Sequence, residues 1–151
     1  MGYVEDLREV VGQRPVILCG SCGVLVDPTG RILLQQRNEP AKRWGLVGGL
    51  MELGESTEAV LVREAQEECG IALDPAAFEL LGVYSGDHLS TAPNGDQFYG
   101  VTVAYAVRGV TQQPRLADAE SLRFGWFAPD DLPANMVARY RRVIEDYHAR
   151  G

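Results

Sequence analysis

Apolar and polar positions along the chain follow two periods, and the alternation between them predicts the elements. Val4, Leu7, Val10 and Val11 recur at helical spacing over residues 3–12, and Arg14-Pro15 breaks the run. Residues 16–26 are apolar and β-branched and read as a buried strand. Asp27-Pro28-Thr29-Gly30 is a turn signal, so Arg31–Arg37 reads as the return strand of a hairpin. Trp44–Met51 holds three glycines and reads as a loop in which the backbone bends or approaches something closely. Residues 56–69 form the strongest helix: Ser56 or Thr57 caps it, Gly70 sits where a C-terminal glycine belongs, and Ala59, Val62, Ala65 and Cys69, supported by Leu61, make its apolar stripe. Residues 78–85, 97–107 and 121–128 read as strands, with Asn94-Gly95 as a turn between the first two. Residues 135–149 close the chain as an amphipathic helix with Val137, Tyr140, Val143, Ile144 and Tyr147 inward. The order predicts a mixed α and β fold, helices packed on a mixed sheet.

Length narrows this to one domain, 1–151, large enough to bury a core without disulfides. The net charge of −7 argues against a long nucleic acid or an anionic membrane as partner. The N-terminus is charged rather than apolar, no run approaches the ~20 residues needed to span a bilayer, and three cysteines suit a reducing compartment. A cytoplasmic location is the expectation. The charge is also uneven: six of the twelve glutamates (Glu52, Glu55, Glu58, Glu64, Glu67 and Glu68) lie between positions 52 and 68, offset locally by Arg63 alone.

That crowding is either a solvated helix face or a cation site. Glu64, Glu67 and Glu68 stand at i, i+3 and i+4, so they share one helix face and repel one another by a few tenths of a kcal/mol per pair. A divalent cation removes the conflict. Oxygen ligands with no nearby His or Cys select Mg²⁺, or Mn²⁺, and Mg²⁺ held this way normally shares its shell with substrate phosphates. Arg63 can fork onto Glu67 or Glu55. An E-x-x-E-E run on its own is more often only solvated surface.

The complete string is more specific. Gly49, Glu55, Arg63, Glu64, Glu67, Glu68, Gly70 and Ile71 resemble the signature of the Nudix (MutT-like) hydrolases at every offset. Ala65 is a small occupant of an apolar slot, and Val47 stands where many relatives have Pro. Arg31–Arg37, Trp44-Gly45-Leu46 and Phe124–Leu132 resemble the family's flanking segments, so the likeness covers residues 14–148. It implies an α/β/α sandwich around a mixed sheet. It also implies Mg²⁺-dependent hydrolysis of a nucleoside diphosphate linked to another moiety, of nucleoside triphosphate or nucleotide sugar type. The roles it implies are Glu67 and Glu68 as main metal ligands, Glu64 as ligand or base oriented by Arg63, and Glu55 and the Gly49 carbonyl completing the shell. Glu120 falls where relatives often carry another ligand or the general base. A homodimer is common in the family.

Outside the string, Arg37 at a strand end is a candidate phosphate contact, and Tyr84, Phe98 and Tyr99 are candidates for stacking on a base. The bland readings are a surface ion pair and core packing. Cys19 and Cys22 face opposite sides of a strand, and His88 and His148 sit in no recognisable triad. Relatives specialised for ADP-ribose tend to have Pro fifteen or sixteen residues after the string, and those for dinucleoside polyphosphates a Tyr slightly further on. Here Gly86, Asp87, His88 and Leu89 occupy that stretch and Pro93 comes too late, so neither label is supported. The alternatives are a non-catalytic module that senses a nucleotide sugar and a pyrophosphohydrolase of RNA 5′ ends.

Overall fold

The computed structural model describes residues 2–86 and 88–151; Met1, and Asp87 of the 86–89 stretch, lie outside the described residues. Two sheets are formed. The larger joins β4 (Val47–Leu50), β1 (Val16–Leu25), β7 (Gln97–Val107) and β5 (Phe78–Tyr84) in that order, with β6 (Ser90–Thr91) beside β7. β1 and β7 run parallel and the other pairs are antiparallel. The smaller sheet orders β3 (Trp44–Gly45), β2 (Ile32–Arg37) and β8 (Ser121–Phe127), all antiparallel. The helices are α1 (Tyr3–Val11), α2 (Thr57–Cys69) and α3 (Ala138–Ala149).

The period of two along β1 and β2 builds two cores. Cys22, Val24, Val26, Ile32 and Leu34 face one side and pack with Val143, Ile144 and Tyr147 of α3. Leu25 and Leu33 face the other side and pack with Leu61, Ala65 and Cys69 of α2. The two helices therefore cover opposite faces, the sandwich that the resemblance implies.

Four expectations are corrected. Residues 44–51 are not a loop but carry β3 and β4, and β4 pairs with β1 from Gly20↔Leu50 to Gly23↔Val47. Their glycines serve close approach within a strand rather than a bend. Second, β1 and β2 are joined by the expected turn, in which the Asp27 carboxylate accepts from Thr29 and Arg31 backbone N–H groups, both at 2.9 Å, but they do not form a hairpin. Only Val26 and Ile32 bridge. β1 already has β4 on one edge and β7 on the other, so β2 pairs elsewhere. Third, the inward side of α2 is Val60, Leu61, Glu64, Ala65, Glu68 and Cys69, whereas Ala59 and Val62 are half-buried. Apolarity alone misplaces the stripe because two of its inward positions are glutamates. Fourth, α3 begins at Ala138, not 135. Asn135 to Val137 runs extended beside Trp44, with Trp44 N–H donating to the Asn135 carbonyl (2.8 Å) and Val137 N–H to the Trp44 carbonyl (2.9 Å). Val137 is accordingly half-buried, outside the helix.

Candidate active site

The site is built on the first three turns of α2 and on β4. α2 starts where Ser56 Oγ accepts from Ala59 N–H (3.1 Å) and stops at Gly70, whose left-handed backbone (φ 67°) lets Ile71 N–H reach the Ala65 carbonyl (3.2 Å). With both ends fixed and Leu61 and Ala65 in the core, Glu64 and Glu68 must turn inward toward β4. They are 9% and 3% exposed, against 55% for the side chain of Glu67 one position away. The Glu64 carboxyl lies flat on Gly49, where any Cβ would collide with its Cδ. Glu68 Oε1 accepts from Gly48 N–H and its Oε2 from Gln35 Nε2–H, each at 3.0 Å.

Arg63 joins the remaining acids. Its Nε donates to Glu55 Oε2 (2.6 Å) and Nη2 to Glu55 Oε1 (2.9 Å) and the Leu50 carbonyl (3.0 Å). Nη1 donates to Glu64 Oε1 (2.8 Å) and Glu67 Oε2 (3.3 Å). Of the two partners allowed by spacing, Glu55 takes the bidentate fork and Glu67 a longer single bond. The guanidinium is thus one counter-charge for three carboxylates. Among the described residues no three His, Cys, Asp or Glu side chains stand ready to grip an ion, and Arg63 holds the oxygens that would have to turn toward one.

Electrostatics separates these acids. Burial, partly opposed by Arg63, pushes the Glu64 carboxyl up to about 7; Glu67 and Glu120 add to the rise. Deeper burial pushes Glu68 up to about 8, with Glu64 and Glu120 adding, because its hydrogen-bond donors are neutral. Glu55 moves the opposite way, held below the carboxylate range chiefly by Arg63. Glu120 stands at the solvent edge just before β8. Local burial, Asp118 and Glu67 hold its carboxyl above the usual range, against Arg37.

The structure therefore brings Gly49, Glu55, Arg63, Glu64, Glu67, Glu68 and Glu120 together. Arg37 reaches the rim near Glu120 but is paired with Glu39 (3.0 Å), which Arg43 also grips (2.7 Å). Tyr84 is not at the site. It is 5% exposed, packs beneath α3, and its hydroxyl donates to Asp146 (2.8 Å). Tyr99 is 47% exposed opposite Ile17, four residues along β7 from Val103, which flanks the Ser21–Gly49 pair; Phe98, opposite Val16, lies one step further off.

Gln35 and Ser121 are missed by sequence reasoning. Gln35 Nε2 also reaches the Leu46 carbonyl (3.2 Å), and its Oε1 accepts from Ser121 Oγ (2.7 Å), so a chain of neutral groups from β8 fixes the Glu68 carboxylate. The available signal is a polar residue at the end of the apolar run Ile32–Leu34.

A family model for the NUDIX domain matches residues 20–147. The chain is 31% identical over 76% of its length to a nucleoside triphosphate pyrophosphatase/Nudix hydrolase fusion protein of Bifidobacterium longum, of which it spans only 24%. It is 30% identical over 83% of its length to an ADP-ribose pyrophosphatase of Methanocaldococcus jannaschii, covering 69% of that protein. Among solved structures, a MutT NUDIX hydrolase from Burkholderia pseudomallei is 33% identical with a TM-score of 0.69, covering 88% of this chain and 98% of that one.

Proposed function

The chain belongs to the Nudix hydrolase family, and from that premise we propose that it hydrolyses the diphosphate linkage of a nucleoside diphosphate derivative, a nucleoside triphosphate or a nucleotide sugar, with Mg²⁺. The observation that carries this is the meeting of four carboxylates at the α2–β4 seam, Glu55, Glu64 and Glu67 on one arginine and Glu68 buried beside them. The donor set fits a hard divalent cation. It is all oxygen, and Glu68 lies buried with only neutral hydrogen-bond donors, so its charged form lacks a positive partner. Glu64, Glu67, Glu68, Glu55 and the Gly49 carbonyl are the groups that would hold Mg²⁺, or Mn²⁺. When bound, the cation supplies charge neutralisation and Lewis acidity toward the phosphoryl oxygens.

The chain's own residues do the rest. Arg63 keeps Glu55 and Glu64 in fixed rotamers, and Gln35 and Gly48 do the same for Glu68. Glu120, at the solvent edge with its carboxyl held above the usual carboxylate range by local burial and neighbouring acids, takes the proton of the attacking water. Arg37, half-exposed beside it, meets a substrate phosphate after exchanging Glu39 for it. No helix among the described residues is long and apolar enough to cross a membrane, and a nucleotide small molecule is the proposed partner.

The test is a screen of nucleoside diphosphate derivatives and triphosphates with Mg²⁺ or with EDTA. Hydrolysis with Mg²⁺ alone is expected, and Glu67→Gln should lose about 10² or more of kcat. Tight binding of an uncleaved nucleotide by the wild-type chain, or near-normal turnover by that variant, would overturn the proposal.

A further inference from the structure

α1 has no fully buried residue, and its apolar side chains Tyr3, Val4, Leu7 and Val11 are only half-buried, so polar attachments add to a thin apolar contact. The polar attachments lie at its two ends. Its N-cap, Gly2, has no side chain to satisfy the first turn. The carboxylate of Glu52 fills that place, accepting from Tyr3 N–H (2.7 Å); both its oxygens, together with Glu5 Oε2, stand where a side chain on Gly2 would go. At the far end Arg8, almost fully buried, donates to the carbonyls of Gln97 (2.6 Å), Arg14 (2.7 Å) and Gly12 (3.1 Å). Gln97 opens β7, so α1 is a strap between that strand and the loop carrying Glu52.

That loop is part of the site. Glu52 N–H donates to Glu55 Oε1 (2.8 Å), and Glu55 N–H returns to the Glu52 carbonyl (3.2 Å). Arg63 grips Glu55 and the Leu50 carbonyl from the other side. Tyr3 and Val4 of the strap, residues 17–19 of β1 and residues 50–55 line one open groove of about 290 Å³, so strap and loop face each other across it. The geometry points to Glu52 as a positioning residue: by capping α1 it ties residues 50–55 to the body of the sheet and so fixes Glu55 and, through Arg63, Glu64. The inference rests on the metal-dependent reading of the site. It separates Glu52 from Glu58, whose carboxylate is spent on Thr57 and Tyr105 hydroxyls.

The experiment measures Mn²⁺ affinity without substrate, by paramagnetic relaxation of water, together with kcat and KM and the thermal midpoint. Glu52→Gln keeps an acceptor for Tyr3 N–H and should bind Mn²⁺ within about two-fold of wild type. Glu52→Ala should weaken it about ten-fold, the usual scale for a group supporting a ligand, with the loss in kcat rather than KM. Arg8→Ala, which frees the other end of α1 and touches no glutamate, should weaken Mn²⁺ binding in the same direction. A lower thermal midpoint in Glu52→Ala or Arg8→Ala with unchanged Mn²⁺ affinity would show a purely structural strap and overturn the inference. So would equal losses in Glu52→Gln and Glu52→Ala, which indicate a charge effect. If wild-type protein binds no Mn²⁺ and cleaves no nucleotide, the metal-dependent reading itself has failed, and the inference with it.

Discussion

α2 and α3 pack on opposite faces of the same strands, and they use that burial differently. α3 turns Val143, Ile144 and Tyr147 inward, and its core is apolar, with Tyr84 bonded outward to Asp146. α2 turns Leu61, Ala65 and Cys69 inward along half its length, then places Glu64 and Glu68 at the same depth. One helix spends its buried face on stability. The other gives up two buried positions to acids whose charged forms lack sufficient compensation. Such positions commonly mark function, because a buried carboxylate held near neutral pH is costly to the fold and useful to chemistry.

The largest expected effect tests the α3 side. Ile144→Ala empties a fully buried position and should cost about 2–5 kcal/mol in a denaturant titration. Turnover per folded molecule should stay near wild type, since α3 carries none of the carboxylates. A large kcat loss in folded Ile144→Ala would break the division of labour between the two helices.

The α2 side should show the opposite signature, and pH reads it. In protein stripped of metal with EDTA, folded Glu68 holds its proton to about pH 8 and folded Glu64 to about pH 7, both against an ordinary value of 4.5. Between those limits the folded state binds more protons than the unfolded one, so this contribution is full below about pH 4.5 and is lost as pH rises through 7 and 8. Glu55 contributes with the reverse sign: its carboxyl is lowered, so its stabilisation is present above the ordinary value and lost as pH falls below it. Denaturant midpoints of the EDTA-treated protein should therefore fall from pH 5 to pH 8. Glu68→Gln should flatten that decline, gain about 1 kcal/mol at pH 8, and abolish most hydrolysis. Saturating Mg²⁺ should flatten it for the wild type. Midpoints that rise across this window in EDTA would contradict the assignment of Glu64 and Glu68 as under-compensated buried acids.

Much of this was legible in the residues. The strands at 16–26, 97–107 and 121–128 and the helix at 56–69 follow from periodicity and caps, because those signals are local. The acids of the site were legible for the same reason: a helix fixes the spacing of Glu64, Glu67 and Glu68 without reference to the rest of the fold. What depends on partners distant in sequence was not. β4 looked like a loop because the use of Gly49 is to receive the Glu64 carboxyl from fifteen residues away. β2 looked like a hairpin partner because nothing local says that both edges of β1 are already filled. Gln35 holds Glu68 across thirty-three residues, and Glu52 caps α1 across forty-nine. Tyr84 and Tyr99 sit on strands read correctly, yet an aromatic residue in a strand does not say which face it serves until the helices are placed.

Tyr84 gives the smallest and most discriminating test of that point. Its ring belongs to the core cluster that α3 covers, the Arg142 guanidinium lies 5.2 Å from the ring centroid, and its hydroxyl reaches Asp146. Tyr84→Phe keeps the ring and removes one hydrogen bond, at a cost of about 0.5–1.5 kcal/mol. Because Tyr84 is 5% exposed and bonded to α3, no nucleotide base can stack on it without displacing the helix. KM for the best nucleotide substrate should therefore be unchanged in Tyr84→Phe, while Glu67→Gln loses kcat at unaltered fold stability. A several-fold rise in KM for Tyr84→Phe would mean that the α3 face also meets substrate, and the contrast between an apolar, structural helix and an acidic, chemical one would fail.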